Sequence, residues 1–324
     1  RHAGQAATRI TCPTGVVSAA LINTHDHITY GQNNPYTDTG ERYEHRHDWR
    51  TGKNGHTKLN TPGSATKDEI AWAELRFLLG GATSTVGSGS TSGLLRNLDR
   101  AEDEQGLNQE AVEFETFPLG DSNSTQLASG CGYPEIIAEA EIKDVDAFLP
   151  HVAEGISAFA ENEFACMSSS ENGGQDLVQP QSAFIHAVGL TAAAYATMAK
   201  DGTALIWSPR SNITLYGDTA AVTEAARIGV LIALGTDWVA TGSMNLLREL
   251  RCADQLNKSH YSGFFTDEQL WRMVTVNAAA ATATDDVIGA LAPGKIADIT
   301  VFEGKAHKEH RAILDAAPQD VALV

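Results

Sequence analysis

The chain has 324 residues, of which 42% are hydrophobic and 20% charged, and 23 Lys and Arg against 41 Asp and Glu give a formal net charge of −18. The acidic balance excludes nucleic acid as an expected partner, because phosphate binding needs a basic surface, and the hydrophobic content excludes a mostly disordered chain. The length suits two ordinary domains, or one α/β barrel of about 250 residues with a small appendage.

Two long stretches, Phe77–Leu95 and Leu177–Ala199, carry no charge, but polar residues and glycines interrupt them, so neither is expected to span a membrane. The cysteines show no Cys-x-x-Cys spacing, which argues against a disulfide framework and against a thiolate zinc site. They are Cys12, Cys131, Cys166 and Cys252. The first ten residues contain no apolar secretion signal, so we expect a cytoplasmic protein unless residues upstream of this sequence are missing.

Apolar runs of strand length alternate with helix-like segments along the chain. The predicted strands are Val16–Asn23, Ala82–Val86, Ala111–Phe117, Ser182–Ile185, Ala204–Trp207 and Val230–Leu234. The predicted helices are Asp68–Leu79, Thr191–Lys200, Thr219–Ile228 and Thr266–Ala283. Continuous apolar strands between helices are typical of parallel strands covered on both faces, so the pattern predicts an α/β barrel or an open α/β sheet.

Several segments depart from this alternation. Residues 33–62 are polar, aromatic and charged without a sustained period, which predicts a long loop of the kind that often carries function. Pro134–Asp146 favours helix over strand, so the sequence does not place a fourth strand. Thr266 and Gln269 have the spacing of a capping box and predict the start of one long closing helix.

The strongest chemical signal follows the first apolar run. His25 and His27 stand at i and i+2, a spacing that puts both imidazoles on one face of a strand, where they can bind one metal ion. The alternative is two polar histidines at a strand end, without a ligand.

Three more apolar runs end in groups of the same kind. His151 ends one run and is followed by Glu154, His186 ends another, and Asp237 follows a third. Each residue alone has an ordinary structural alternative, such as a hydrogen-bonded core histidine or a surface glutamate. Because the carboxyl ends of parallel barrel strands meet at one face, we expect the four groups to converge.

A second His-x-His pair, His45 and His47, follows no apolar strand. It is predicted to lie on a solvated loop. A loop that covers the substrate and a separate metal site are the alternatives.

In the order and spacing of these motifs the chain resembles the amidohydrolase superfamily, and within it the cytosine-deaminase and triazine-hydrolase-like branch. The motifs that carry the resemblance are His25-Asp-His27, Gly81–Val86, His151-Val-Ala-Glu154, His186, Trp207–Asn212, Gly235-Thr-Asp237 and Leu291–Asp298. The resemblance implies a (β/α)8 barrel over residues 17–286 and a small β-sandwich built from residues 1–16 and 287–324. Few residues precede the first strand, so the sandwich is expected to be incomplete, or the chain to be a fragment.

The resemblance also implies a single divalent metal ion, with zinc as the first choice and iron or manganese as alternatives. Its ligands would be His25, His27, His151 and Asp237. Asp237 would also accept a proton from the attacking water, Glu154 would carry a proton to the ring nitrogen or the leaving group, and His186 would lie beside the substrate. No lysine stands at a convincing end of a fourth strand, which argues against a two-metal site.

The substrate-binding residues are less clearly marked. His186, Trp207, Arg210 and Asn212 are predicted to contact the substrate, with Arg210 reaching an anionic or carbonyl group. Tyr30, Tyr36 and Trp49 could frame the same pocket. Alternatively, the aromatic side chains pack loops onto the barrel.

The sequence therefore predicts a hydrolase that acts on a C–N bond of a small molecule, with deamination of an amino-substituted heterocycle first. Hydrolysis of an amide, or of another substituent on a ring, is the alternative at the same site, and a truncated, inactive metal-binding chain is the third hypothesis. The expected partner is a small molecule, with neither nucleic acid nor membrane, and association into a homo-oligomer stays open.

Overall fold

The structure is a computed structural model that describes residues 10–87, 89 and 91–324. Its strands are β1 (Gly15–Ala19), β2 (Leu21–Asn23), β3 (Ala82–Thr85), β4 (Arg96–Asn97), β5 (Glu113–Glu115), β6 (Phe148–Val152), β7 (Ala183–His186), β8 (Ala204–Trp207), β9 (Ile232–Leu234), β10 (Ile299–Glu303) and β11 (Val321–Leu323). Its α-helices are α1 (Arg46–Thr51), α2 (Lys67–Leu78), α3 (Ala158–Met167), α4 (Ala192–Asp201), α5 (Pro209–Tyr216), α6 (Val222–Ile228), α7 (Leu246–Ser259), α8 (Asp267–Arg272), α9 (Val276–Ala281) and α10 (Glu309–Leu314).

The strands form two parallel sheets and one antiparallel sheet. Strands β2, β3 and β4 pair in that order, and β5 to β9 pair in sequence order, all in parallel. The third sheet has the order β1-β10-β11 and is antiparallel. The α/β class with parallel strands, which the apolar runs predicted, is confirmed.

The two parallel sheets approach each other at both edges. On one side, the Val112 amide donates a 2.7 Å hydrogen bond to the Leu98 carbonyl, between the ends of β4 and β5. On the other side, Asp26 and Asp237 form a parallel bridge just beyond β2 and β9. All strands that carry candidate site residues therefore end in one region.

Strands β2, β6, β7, β8 and β9 are buried on both faces, which explains their largely apolar sequences. Phe148, Phe184 and Leu205 belong to one core cluster, and the residues that follow each of them belong to a second cluster. Because side chains alternate across a strand, His151 shares the face of Leu149, which lies in the second cluster.

Two predicted elements are divided in the structure. The run Val16–Asn23 forms β1 and β2, because β1 pairs with β10 while β2 pairs with β3. The helix predicted over Thr266–Ala283 starts at the Thr266–Gln269 capping box as expected, but it breaks at Thr275, whose φ of −135° and ψ of −96° are not helical. The Met273 and Val274 carbonyls accept hydrogen bonds from the amides of Leu234 in β9 and Ile22 in β2. The break in the helix therefore supplies hydrogen-bond acceptors to these two strands.

Two other predictions were wrong. Pro134–Asp146 contains only a short 3-10 turn at Glu139–Glu141, rather than a helix. Cys131 and Cys166, although 35 residues apart in sequence, form a disulfide bond, so the argument against disulfides fails for this pair. Among the described residues, no helix has both the length and the apolar character needed to cross a membrane.

Candidate active site

Three histidine nitrogens converge at the carboxyl ends of β2 and β6. The Nε2 atom of His27 lies 3.3 Å from Nε2 of His25 and 3.3 Å from Nε2 of His151. The Oδ1 atom of Asp237, which follows β9, lies 3.6 Å from Nε2 of both His25 and His27. The four side chains that the sequence proposes as ligands are thus brought together.

The spacing of these atoms suits a divalent metal ion. Four ligand atoms placed tetrahedrally at zinc bond lengths are separated by about 3.4 Å. The Nδ1 atom of His151 lies 3.0 Å from the Glu115 carbonyl oxygen, which can only accept, so Nδ1 carries the proton and Nε2 has a free lone pair. A free lone pair on His151, next to two further imidazoles and a carboxyl group in a buried site, fits a metal ion.

The electrostatics of the protein alone keep these groups in their neutral forms. Burial, followed by the neighbouring histidines, holds the pKa of His25 well below its ordinary value, and burial lowers the pKa of His27 to about 4. Burial and the nearby Glu154 raise the pKa of Asp237 well above its ordinary value. Neutral imidazole is the form that binds a metal, so the histidines need no change in protonation to accept one, whereas Asp237 must lose its proton when it binds.

Glu154 lies next to this cluster and is almost fully buried. Its Oε1 accepts a 2.7 Å hydrogen bond from the Tyr216 hydroxyl, and its Oε2 lies 3.6 Å from Nε2 of His186. Burial raises the pKa of Glu154 to about 7, although Arg46 and the Tyr216 hydrogen bond act in the opposite direction. A carboxyl group that titrates near neutral pH can both take and give a proton.

The strand ends that carry these groups have unusual backbone conformations. The φ angles are 72° at His186, 65° at Asp237 and 52° at Ala153, in the left-handed region that residues other than glycine rarely adopt. Such residues cluster at functional sites, where the surrounding structure holds them in place.

A cavity of about 480 Å³ opens onto His27, His151, Glu154 and Asp237. Its wall contains four aromatic side chains and three cations, which are Tyr30, Trp49, Phe117, Trp238, Arg46, Arg50 and Lys58. Trp238 contacts Trp49 and Tyr30, with ring centroids 5.3 Å and 5.7 Å apart. The volume and the aromatic lining suit a flat ring of drug or nucleoside size.

The remaining predicted substrate contacts lie elsewhere. Trp207 is fully buried, and the Arg210 guanidinium donates from Nε to the Ser243 hydroxyl at 2.7 Å; neither residue lines the cavity. Asn212 donates to Nδ1 of His186 at 3.0 Å, so it contacts a site residue. Tyr30 and Trp49 line the cavity, as expected of a pocket frame.

The prediction of a solvated loop for His45 and His47 was wrong. Both are buried, because acids from distant segments pair with them: Nε2 of His45 lies 2.9 Å from Glu163, and Nε2 of His47 lies 2.7 Å from Asp121. Arg46, between them, also binds Asp121. The segment predicted as a loop over residues 33–62 contains helix α1, which carries Arg46, Trp49 and Arg50 to the cavity wall and agrees with the alternative of a segment that covers the site.

Sequence reasoning missed Tyr216 and Ser211. The Ser211 hydroxyl makes a short hydrogen bond with Oδ2 of Asp237. Ser211 lies within the Trp207–Asn212 motif, and Tyr216 is four residues after Asn212 on α5, a spacing that puts both on one helix face. That spacing was the available signal for Tyr216.

Comparison with known proteins identifies the class of protein that this arrangement defines. Residues 139–322, more than half of the chain, match the Amidohydrolase family. The chain belongs to the amidohydrolase family, which confirms the resemblance seen in its motifs.

Curated relatives match part of the chain. A 5-methylthioadenosine/S-adenosylhomocysteine deaminase from Teredinibacter turnerae is 30% identical over 130 residues, which are 39% of this chain and 29% of that protein. A deaminase of the same name from Pyrococcus abyssi is 34% identical over 110 residues, 33% of this chain and 25% of that protein. The matched region is therefore less than a third of either relative.

Solved structures match nearly the whole chain. An adenosine deaminase from Xanthomonas campestris with bound zinc has a TM-score of 0.61 at 16% identity, over 95% of this chain and 78% of that one. An atrazine chlorohydrolase from Arthrobacter aurescens, complexed with zinc, has a TM-score of 0.61 at 17% identity, over 96% of this chain and 84% of that one. These likenesses show a shared fold.

Proposed function

We propose that this chain is a metal-dependent hydrolase that removes an amino group from a heterocyclic ring and releases ammonia. The observation that carries the proposal is the convergence of four ligand atoms, 3.3–3.6 Å apart between neighbours, beside the buried carboxyl group of Glu154 at the floor of an aromatic cavity. Family membership and the deaminase names of the curated relatives support the same reaction.

The proposal includes a closed barrel. The parallel strands β2 to β9 would form one eight-stranded (β/α)8 barrel over residues 17–286, and the hydrogen bonds at both sheet edges support this closure. Residues 1–16 and 287–324 would form the smaller unit, of which residues 1–9 lie outside the described part of the chain. The sheet β1-β10-β11 supports that division, although β1 continues to Ala19.

We assign the metal to His25, His27, His151 and Asp237, with zinc as the first choice. When bound there, the ion would supply Lewis-acid activation of water and of the ring carbon under attack. His25 is held by a 3.3 Å contact between Nδ1 and the Ser208 hydroxyl, and His151 by the Glu115 carbonyl. These outer contacts orient the rings toward one point.

The residues around the metal site have distinct tasks. Asp237 accepts a proton from the attacking water through a carboxylate that Ser211 holds in place. Glu154, whose pKa of about 7 keeps a large protonated fraction at neutral pH, gives a proton to the ring nitrogen beside the carbon that is attacked. The amino group then takes the proton held by Asp237 and leaves as ammonia, while the new hydroxyl gives its proton back to Glu154 and the ring carbon becomes a carbonyl. His186 does not line the cavity, but its Nε2 lies 3.6 Å from Glu154 and so can influence that carboxyl group.

The test is an ammonia-release assay on the zinc-loaded chain against adenosine, 5-methylthioadenosine, S-adenosylhomocysteine, guanine, cytosine and an aminotriazine. Ammonia release that disappears in the Glu154→Gln variant supports deamination. Chloride release from a chlorotriazine, or cleavage of an acylated amine without ammonia, would instead favour the alternative hydrolysis. Metal binding without turnover of any compound would support the inactive chain.

A further inference from the structure

A chain of hydrogen bonds runs from the buried indole of Trp207 to His186. Trp207 Nε1 donates to the Thr219 hydroxyl at 2.7 Å, the Thr219 hydroxyl donates to Oδ1 of Asn212 at 3.2 Å, and Nδ2 of Asn212 donates to Nδ1 of His186 at 3.0 Å. Trp207 and Asn212 are fully buried, and Thr219 is half-buried.

The direction of this chain starts at its first member. An indole N–H can only donate, so the Thr219 oxygen accepts from Trp207, and the Thr219 proton is available to the Asn212 carbonyl oxygen 3.2 Å away. The Asn212 carbonyl oxygen receives that proton, which places the Asn212 amide nitrogen, a donor only, against His186. Nδ1 of His186 is therefore the unprotonated nitrogen of a neutral ring, and Nε2 carries the hydrogen.

We infer that Trp207, Thr219 and Asn212 are positioning residues that hold His186 as the Nε2–H tautomer. This inference rests on the proposed function for its catalytic consequence. His186 then presents a donor toward Glu154, and it cannot offer a lone pair at Nε2. Of the two groups of residues that could hold a metal, His25 with His27 and His151 is thus preferred over His25 with His186 and Asp237.

The role also explains why Trp207 lies near the site without lining the cavity. Its side chain is packed in the core cluster, where it cannot rotate without opening a void, so the first donor of the chain has one orientation. Because the Trp207 N–H is held in one orientation, the hydrogen bonds of Thr219 and Asn212 run from it toward His186.

The experiment combines tautomer measurement with kinetics on the zinc-loaded enzyme. Long-range ¹⁵N–¹H correlation spectra of histidine-labelled protein report which ring nitrogen is protonated, and the His186→Gln variant assigns the signals. In wild type we expect the Nε2–H form at His186. In Thr219→Val, which loses the hydroxyl, Asn212 is free to rotate, so we expect the Nδ1–H form to appear and kcat to fall by about 10–100-fold, with KM nearly unchanged.

Two further variants separate positioning from folding. Thr219→Ser keeps the hydroxyl and should restore both the tautomer and kcat, while Thr197→Val, a threonine on α4 whose hydroxyl bonds only within its own helix, should change neither. An Nδ1–H signal in wild type, an unchanged tautomer in Thr219→Val, or a changed tautomer with unchanged kcat would each overturn the inference. The tautomer signal does not depend on turnover, so it decides the inference even if no substrate is deaminated.

Discussion

The Nε2 atoms of His27 and His151 lie 3.3 Å apart, although 124 residues separate them in sequence. The Glu115 carbonyl holds His151 with the lone pair of Nε2 facing His27, and burial keeps the pKa of His27 at about 4, so both rings are neutral and able to bind a cation. The protein maintains a pre-formed site whose favourable occupant is a cation.

His25 packs directly against the backbone of Gly235, so replacing Gly235 by a larger residue should weaken metal binding. A Cβ at Gly235 would lie 2.6 Å from the Cβ atom and 3.0 Å from the backbone nitrogen of His25, so the backbone that carries this ligand must move. We expect Gly235→Ala to lower zinc affinity by at least about tenfold, measured by competition with a chelator. Gly132→Ala is the matched control, since no atom lies within 4 Å of a Cβ there. Equal affinities for both variants would contradict the expectation.

Glu154 is expected to contribute to turnover and not to metal binding. Glu154→Gln should lower kcat by about 10²–10⁴-fold while zinc content stays at the wild-type level, and the exposed Glu161→Gln on α3 serves as control. Unchanged turnover with metal bound would show that Glu154 does not transfer the proton.

Tyr216 should set the pH range in which Glu154 works. Its hydroxyl stabilises the carboxylate form, so Tyr216→Phe should raise the pKa of Glu154 further. Because the protonated form gives the proton, the rate falls as pH rises through this pKa, and the falling limb of the kcat profile should move to higher pH in the variant. A shift to lower pH, or no shift, would contradict this assignment.

The buried His47 should make the fold sensitive to acid. Burial, partly opposed by Asp121, lowers the pKa of His47 from 6.5 to about 4. The unfolded chain therefore takes up a proton before the folded one, and stability is lost as pH falls from about 6.5 to about 4, by roughly 3 kcal/mol from this group. We expect His47→Gln, which keeps a donor for Asp121 and an acceptor for Arg50, to show a smaller loss over this range in urea unfolding. The exposed His260→Gln is the control, and a loss in His47→Gln equal to that of wild type would contradict the account.

The disulfide between Cys131 and Cys166 joins the loop before β6 to helix α3. The same helix carries Glu163, whose carboxyl group contacts Nε2 of His45. Closing a loop of this length restricts the unfolded chain, so the Cys131→Ser/Cys166→Ser variant should lose about 2–4 kcal/mol of unfolding free energy under oxidising conditions. A reductant should lower the stability of wild type and leave the double variant unchanged. Cys252→Ser, at a free cysteine, is the control. Identical responses of wild type and the double variant to the reductant would contradict the prediction.

The parts of the fold that follow from local patterns were predictable. Fully buried strands such as β7 and β8 need apolar side chains on both faces, and the Thr266–Gln269 capping box marks a helix start, so both leave a trace in the sequence. Strand β4 is only Arg96–Asn97 and left no such trace. It is a strand because it pairs with β3, which a local pattern does not reveal.

The candidate site likewise contains some residues that local sequence patterns reveal and others that they do not. His25, His27, His151 and Asp237 were visible because each follows an apolar strand. The burial of His45 and His47 depends on Glu163 and Asp121, which lie more than 70 residues away, so their polar surroundings in sequence gave the wrong environment. The roles of Trp207 and Thr219 likewise depend on contacts that exist only in the folded chain.

The most direct test of the metal site is the metal content per chain of protein purified without chelator, for wild type and for the His25→Ala/His27→Ala variant. The account predicts about one divalent ion per wild-type chain, and its loss in the variant, because two of four ligands are removed. Near-zero metal in wild type after zinc, iron or manganese has been supplied, or full occupancy in the variant, would contradict the site proposed here.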